Sequence, residues 1–402
     1  MLITENRLLA PFTTFGIGGP ARWFAEATSE EEIVEAVGWA RERPARLFVL
    51  GGGSNLLVSD SGFDGLVLRV GLRGIAVWDA HDLFPGECSS GAKAQIDSID
   101  LMRGLKPPPP SELSSSAVNN LLVDSGGMEV RAKALTYQVA AGEDWDQFVE
   151  RTVRDGCAGL ECLAGIPGTV GGTPVQNVGA YGQEVASVIE RVRAFDFEQE
   201  KFVEFAADEC GFSYRHSRFN SVDRGRFIVT RVDYRLKIGG APTLAYAELE
   251  RAVREGRPEG AAASLVEVAA VVRRIRQLKG MLLVEGDPDC RSAGSFFKNP
   301  VVSEEQVRRI AECSEKEPPR FSAGAGNAGM VKVPAAWLIE QAGFRKGYAL
   351  GAAGISSRHT LALVNLGCAT SEDILALATQ INNAVEARFG IRLEMEPVMV
   401  GF

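Results

Sequence analysis

The chain has 402 residues, of which 46% are hydrophobic and 24% are charged, a composition that argues against a disordered, collagenous or disulfide-scaffold protein. Its formal net charge of −9 gives no general attraction to nucleic acid or to an acidic membrane surface. Seven scattered cysteines without a Cys-x-x-Cys pair predict reduced thiols, and three histidines far apart in the sequence argue against a metal centre.

The N-terminal region mixes helix and strand. Ser29 and Glu32 form a capping box, and the apolar residues that follow recur at helical spacing up to Pro44, which predicts a helix. Residues 47–50 predict a short buried strand that runs straight into the glycine-rich residues 51–55. Strand-like residues continue at 56–59 and 66–68.

A segment of different composition follows, from about residue 79 to residue 129. It contains four consecutive prolines at residues 107–110, next to several serines. Because such a run cannot nucleate a packed core, we expect an exposed insertion. Residues 97–105 predict a short helical turn within it.

Regular structure resumes after the insertion. Residues 134–140 predict a strand, and apolar residues from Trp145 to Val153 line one face of a helix that ends near Gly156. Further strands are predicted over residues 189–197, 202–205 and 226–236.

A second capping box, Ser264 with Glu267, opens a helix that runs through Lys279. The basic residues Arg273, Arg274, Arg276 and Lys279 lie near its C-terminal end, where they complement the helix dipole and predict a solvated helix face. Beyond it, a separate α+β unit is predicted from helices at 303–313, 334–342 and 371–389 and a strand at 361–365.

Two glycine-rich loops carry the clearest functional signal. Residues 51–55 follow a strand and expose several backbone N–H groups that can wrap a phosphate, although a tight turn between strands has the same composition. The third glycine of the dinucleotide-binding fingerprint is missing, and there is no Gly-Lys-Ser/Thr. A second glycine-rich stretch spans residues 165–182. Together the loops predict a crevice for a diphosphate-bearing cofactor.

Five motifs occur in a fixed order, and together they resemble the UDP-N-acetylenolpyruvoylglucosamine reductase family. They are FGIGGPA at 15–21, LGGGSN at 50–55, the stretch at 165–182, YRHSRF at 214–219 and AGSFFKNP at 293–300. The resemblance implies an α+β fold with two FAD-binding subdomains of the p-cresol methylhydroxylase type and a C-terminal substrate-binding domain. The expected division is residues 1–70, residues 71–280 with the insertion, and residues 281–390, with residues 391–402 returning to the first subdomain.

The same resemblance implies noncovalent FAD as cofactor and NADPH as electron donor. The substrate would be UDP-N-acetylglucosamine enolpyruvate, reduced to UDP-N-acetylmuramate in peptidoglycan precursor synthesis. The expected FAD-binding residues are Gly51, Gly52, Gly53, Ser54, Asn55, Gly165, Ile166, Pro167, Gly168, Gly171 and Gly172. Neither loop contains a histidine, which agrees with noncovalent binding.

Three residues match the family's catalytic positions. Arg215 would stabilise the negative charge that develops at the substrate carboxylate, and Ser295 would donate a proton. Glu396 would polarise or orient the intermediate, with Glu394 as a competitor expected on the same face of a strand. His216 departs from the acidic residue expected after the arginine.

Substrate binding is expected from Tyr246, Lys279 and Asn299, which match further family positions. An exposed tyrosine at a strand end is the alternative for Tyr246. Tyr181 is expected either near the flavin or in a core gap, and His359 is expected to be structural.

Two other classes of function compete with the reductase: an FAD-linked oxidase on the same scaffold, and a nucleotide-sugar-binding protein without activity. The AGSFFKNP motif and the joint presence of Arg215, Ser295 and Glu396 favour the reductase. No export signal and no membrane-spanning apolar run is visible. We therefore expect a cytoplasmic and monomeric enzyme with no nucleic-acid or membrane partner.

Overall fold

The computed structural model describes residues 1–79, 134–255, 257–258, 260–314, 316–322 and 329–402. The insertion predicted to end at residue 129 and its helical turn at 97–105 lie outside the described residues. Among the residues described, no helix combines the length and the apolar character needed to cross a membrane.

The N-terminal part builds a small sheet around one helix. Strands β2 (Pro20–Ala27), β5 (Phe63–Val70) and β3 (Leu47–Leu50) are parallel neighbours, and β1 (Ile3–Leu8) pairs antiparallel with β2 at the edge. The side chain of Ser29 accepts a hydrogen bond from the Glu32 backbone and caps helix α1 (Glu30–Glu42), but the Glu32 carboxylate accepts from Thr28 and does not complete the predicted capping box. The elements are β1 Ile3–Leu8, β2 Pro20–Ala27, α1 Glu30–Glu42, β3 Leu47–Leu50, β4 Leu56–Val58, β5 Phe63–Val70 and β6 Ile75–Asp79.

The middle of the chain adds a larger antiparallel sheet in the strand order β12-β11-β13-β7-β6, with β8 on one end of β13. Its core joins that of the N-terminal part in one continuous apolar cluster. The elements are β7 Ala134–Ala140, α2 Trp145–Arg154, β8 Cys157–Ala158, β9 Gly179–Ala180, β10 Gln183–Glu184, β11 Ile189–Asp196, β12 Lys201–Ala206, β13 Phe227–Ile238, α3 Ala247–Arg254 and α4 Leu265–Leu278.

The C-terminal part packs three helices on two small antiparallel sheets, β14-β16-β15 and β17-β18-β19. Strand β20 leaves this part and pairs parallel with β4, next to the first glycine loop. The elements are β14 Val301–Ser303, α5 Glu304–Glu312, β15 Phe321–Ser322, β16 Met330–Lys332, α6 Ala335–Gln341, β17 Ala349–Leu350, β18 Ala353–Ile355, β19 Leu363–Asn365, α7 Ser371–Phe389 and β20 Val398–Val400.

The predicted regular elements that fall within the described residues are confirmed to within a few residues at their ends, except for the strand expected to hold Glu394 and Glu396. The strand at 47–50 and the helix at 371–389 have the predicted limits, whereas the strand at 361–365 begins only at Leu363. Several elements were not predicted, among them β1, β2, β6, β16 and α3. Helix α3 buries only Leu249 and Val253, too few apolar positions for a periodic pattern to stand out.

Asn365 ties the C-terminal part to the N-terminal part. Its buried amide donates to the carbonyl of Phe15 and accepts from the backbone N–H groups of Gly367 and Ala369. Since buried polar groups left without partners each cost about 1–3 kcal/mol, we expect Asn365→Ala to lower the free energy of unfolding by about 2–4 kcal/mol. Denaturant titration measures the free energy of unfolding. Asn383→Ala, which removes an exposed side chain from α7, is the control. Equal stability of the two variants would contradict the role of Asn365.

Candidate active site

Both glycine-rich stretches face one cavity of about 1120 Å³. Pockets for single small ligands usually measure about 300–1,000 Å³, so this one has room for a larger ligand set. Every predicted cofactor residue lines it except Gly165, whose carbonyl instead accepts a hydrogen bond from Arg276. The predicted catalytic and substrate-binding residues line it as well: Arg215, Ser295, Glu396, Tyr246, Lys279 and Asn299.

The two loops approach each other so closely that only glycine fits at their contact. A Cβ added to Gly52 would lie 2.5 Å from the Cα of Gly168, and one added to Gly53 would lie 1.7 Å from the carbonyl oxygen of Phe12. Gly53 also has a φ of +66°. The Asn55 amide donates to Oε1 of Gln176 over 2.6 Å and so joins the loops through side chains. The glycines thus place backbone in the cavity wall, next to side chains such as those of Ser54 and Asn55.

By contrast, a Cβ on Gly172 would meet nothing within 4 Å, although Gly172 lines the same cavity. Here the absence of a side chain is not required by packing within the protein. A phosphate or cofactor can approach the backbone closely only where no Cβ occupies the space between them. The loop residues therefore fit a diphosphate-bearing group.

Arg276 is a buried cation in the cavity wall. Only 7% of it is exposed, and it donates to the carbonyl oxygens of Gly165 and Met281. No carboxylate lies within ion-pair distance of it in the described part of the chain, and burial lowers the pKa of its guanidinium. An unpaired buried charge is costly, so an anionic ligand in the cavity would stabilise it.

The prediction of a solvated basic face on this helix is therefore wrong for Arg276, while Arg273 and Lys279 are partly exposed and ion-paired. Arg276 is buried, and Arg273 makes a bidentate pair with Asp146. The signal was present in the sequence, because Arg276 continues the helical spacing of the buried Val272 and Ile275 and their apolar predecessors. A basic side chain near a helix C-terminus complements the dipole whether it is solvated or buried, so the dipole alone does not predict exposure.

Arg215 and Glu396 form an ion pair inside the cavity. Nε of Arg215 lies 3.0 Å from Oε1 of Glu396, and their side chains are 21% and 11% exposed. The Arg215 guanidinium also donates to the carbonyl of Gly179, and its backbone has a φ of +56°, which is strained for a residue with a side chain. Burial raises the pKa of Glu396, while the charge of Arg215 acts in the opposite direction.

Backbone hydrogen bonds bring Ser295 and Glu396 to the same wall. The Glu396 N–H donates to the carbonyl of Phe296, the residue after Ser295. The side chain of Ser295 is half-buried and lines the cavity. Residues that lie about 180 and 80 positions from Arg215 in the sequence thus meet it at one cavity.

Glu394 does not share this position. Its carboxylate is 71% exposed and lies 2.5 Å from Nζ of Lys298. The expected strand holding both glutamates is wrong, because β20 begins only at Val398 and the preceding residues make a single bridge between Met395 and Phe297. The two side chains consequently have different surroundings.

Two of the predicted substrate-binding residues, Tyr246 and Lys279, lie next to Tyr181 at the cavity. The rings of Tyr181 and Tyr246 are 5.6 Å apart and meet edge to face. Tyr246 directly precedes α3 and does not end a strand, which corrects that alternative. Nζ of Lys279 lies 2.6 Å from Glu248 and 5.9 Å from the Tyr181 ring centroid.

Three further residues complete the comparison with the sequence. Oδ1 of Asn299 accepts a hydrogen bond from the Ala335 N–H, which fixes its amide at the cavity. His359 also lines the cavity, and burial together with Lys279 lowers its pKa to about 4, so it is neutral at neutral pH. His216 is exposed, and its Nδ1 lies 3.3 Å from the carbonyl of Gly211, so it does not take the place of the missing acid.

Sequence reasoning missed Lys332, which lines the cavity from strand β16. Its Nζ lies 4.0 Å from the ring centroid of Tyr214, the residue before Arg215. No local pattern marks a lysine in a three-residue strand, and only the tertiary fold brings it to the site. Arg276, by comparison, was visible from helical periodicity.

Known proteins of one family resemble the chain over its whole length. The model for "FAD binding domain" matches residues 21–84 and 112–205, and the model for "UDP-N-acetylenolpyruvoylglucosamine reductase, C-terminal domain" matches residues 287–400. Proteins named UDP-N-acetylenolpyruvoylglucosamine reductase from Streptomyces coelicolor and Thermobifida fusca are 41% and 40% identical to it. These alignments cover 98% and 99% of this chain and 89% and 98% of the relatives.

A solved structure agrees with this assignment. The crystal structure of UDP-N-acetylenolpyruvylglucosamine reductase from Thermus caldophilus superimposes with a TM-score of 0.58 at 25% identity, covering 99% of this chain and 100% of that one. The fold class is confirmed as α+β, with an FAD-binding domain followed by a C-terminal α+β domain. Fold and site thus define an FAD-dependent oxidoreductase. The chain belongs to the UDP-N-acetylenolpyruvoylglucosamine reductase family.

Proposed function

We propose that this chain catalyses the NADPH-dependent, FAD-mediated reduction of UDP-N-acetylglucosamine enolpyruvate to UDP-N-acetylmuramate in peptidoglycan precursor synthesis. One observation carries the proposal: Arg215, Ser295 and Glu396 line the same cavity as both glycine-rich loops. FAD, when bound, relays reducing equivalents from NADPH to the substrate. A flavin-linked oxidase or a binding protein does not require this combination of side chains at the cavity.

The FAD-binding residues in this proposal are the glycine loops at 51–55 and 166–172. Their glycines bring backbone to the cavity wall, and Arg276 contributes positive charge beside it. Gly165 acts indirectly, since its carbonyl holds the Arg276 guanidinium.

The chemistry of an enol ether next to a carboxylate sets the catalytic roles. Reduction places negative charge on the carbon beside the carboxylate and on the carboxylate itself, and that carbon then takes a proton. In our proposal Arg215 binds the carboxylate, because a guanidinium stays charged and presents paired donors. Ser295 donates the proton, and Glu396 orients Arg215 through their ion pair.

Tyr246, Lys279 and Asn299 are proposed to bind the nucleotide sugar. Tyr246 offers a ring face at the cavity, Lys279 a cation, and Asn299 an amide held by its bond to Ala335. We also propose the division into residues 1–70, 71–280 and 281–390, and a cytoplasmic monomer.

Gly172→Ala tests the cofactor-binding surface. The new methyl group would meet no protein atom within 4 Å, so folding is expected to persist, while FAD binding weakens roughly tenfold because the methyl stands in the cavity. Titration of the apoprotein with FAD measures this. Gly38→Ala, in α1 and equally free of contacts, is the matched control. Unchanged FAD affinity in Gly172→Ala would contradict the proposed surface.

Steady-state assays separate the reductase from the oxidase. We expect the purified protein to be yellow and to oxidise NADPH only when the enolpyruvyl nucleotide is present, with or without oxygen. An oxidase would need oxygen and a hydroxylated substrate instead. A colourless chain that takes up no FAD, or NADPH oxidation that ignores the nucleotide, would overturn the proposal.

A further inference from the structure

Lys332 reaches the cavity from a rigid position. It lies in β16, the central strand of its sheet, where it pairs with Val301 on one side and Phe321 on the other. Its side chain is half-buried and lines the cavity that also contains Arg215. The Lys332 side chain therefore starts from a fixed point on the sheet and extends to the cavity.

The ammonium of Lys332 contacts a ring and no carboxylate. Nζ lies 4.0 Å from the Tyr214 ring centroid, within the range of a cation–π contact. In the described part of the chain no carboxylate lies within ion-pair distance of it. Two other lysines near the site are paired: Lys279 with Glu248 at 2.6 Å and Lys298 with Glu394 at 2.5 Å.

The surroundings of Lys332 favour an additional negative charge. Burial and the nearby Arg215 both lower the pKa of its ammonium, and only Glu184 acts in the opposite direction. The Glu184 carboxylate already accepts a hydrogen bond from the Asn177 amide. A half-buried cation next to another cation is stabilised when an anion binds between or beside them.

We propose that Lys332 is a substrate-binding residue whose ammonium binds an anionic oxygen of the nucleotide sugar. This rests on the proposed function, since the substrate of that reaction carries two kinds of anionic oxygen, a carboxylate and a diphosphate. Tyr214 holds the ammonium at the cavity wall before the ligand arrives. Lys332 is thus a binding residue distinct from Arg215, Ser295 and Glu396.

Binding of two nucleotide sugars to the FAD-loaded protein tests this proposal. UDP-N-acetylmuramate carries both carboxylate and diphosphate, whereas UDP-N-acetylglucosamine carries only the diphosphate. We expect Lys332→Met to weaken binding about 10- to 100-fold, and Lys332→Arg to restore most of it. Lys237→Met, which removes an exposed lysine from β13, is the control. Lys332→Gln replaces the Met variant should that variant fail to fold.

The pattern of losses identifies the anion. Weaker binding of both nucleotides supports contact with the diphosphate, and weaker binding of UDP-N-acetylmuramate alone supports contact with the carboxylate. Unchanged binding of both overturns the proposal, as does a parallel loss of FAD affinity and melting temperature, which would indicate a structural role. Failure of the wild-type protein to bind either nucleotide would instead refute the proposed function, and this inference with it.

Discussion

Ser295→Ala is expected to reduce turnover of the enolpyruvyl nucleotide by about 10²–10⁴-fold while leaving reduction of the bound FAD by NADPH intact. The hydroxyl is the proposed proton donor, and alanine removes it without adding bulk. Ser295 lines the cavity in a loop whose backbone is fixed by the bond from Phe296 to Leu361, so the variant should fold. Rapid mixing measures the two half-reactions separately.

The exposed Ser61, which lies away from the cavity lining, provides the control for this variant. Ser61→Ala should behave as wild type in both half-reactions. Full turnover in Ser295→Ala would show that another group delivers the proton. Loss of both half-reactions would show that Ser295 supports cofactor binding instead.

Arg215→Met is expected to lower kcat/KM by about 10²–10³-fold, because it removes the cation proposed to stabilise charge on the substrate carboxylate. Arg215→Lys should restore little, since an ammonium cannot present two parallel donors to a carboxylate. The exposed Arg235→Met in β13 is the matched control. Activity of Arg215→Met within a few-fold of wild type would contradict the proposed role.

The loss of stability in Arg215→Met is also expected to depend on pH. Burial already raises the pKa of Glu396 above its ordinary value of 4.5, and Arg215 counteracts that rise. A carboxyl with a raised pKa in the folded state contributes stability at low pH that is lost as the pH rises through the folded pKa. Without Arg215 the pKa rises further, so the stability deficit of Arg215→Met should be larger at about pH 8 than at about pH 4.

Melting temperatures of wild type, Arg215→Met and Arg235→Met at the two pH values measure this difference. Arg235→Met should show the same small change in melting temperature at both pH values. A deficit of Arg215→Met that does not grow with pH would mean that Glu396 does not depend on Arg215 for its charge.

Local rules predicted most of the fold because they operate within a few residues. The capping box at Ser264 forms as predicted, Ser29 caps its helix through its side chain, and the apolar face of α2 is buried. The missed elements lack such signals. Strand β1 has one half-buried residue followed by five exposed ones, and it exists because its backbone pairs with β2.

Prediction of the site from the sequence is limited in the same way, because several of its contacts join distant parts of the chain. The glycine loops could be recognised because glycine allows a ligand to approach the backbone. Arg215, Ser295 and Glu396 were identified from the resemblance of the ordered motifs to the family. The burial of Arg276 and the position of Lys332 depend on contacts between distant parts of the chain. The choice between Glu394 and Glu396 likewise depends on their surroundings, since one contacts Lys298 and the other contacts Arg215.

A single-turnover experiment without oxygen tests the central claim most directly. The FAD-loaded protein is reduced with one equivalent of NADPH and then mixed with UDP-N-acetylglucosamine enolpyruvate. The proposal predicts that the oxidised flavin spectrum returns and that one UDP-N-acetylmuramate forms for each FAD. Reduced protein that stays bleached until oxygen is admitted, with no UDP-N-acetylmuramate formed, would contradict it.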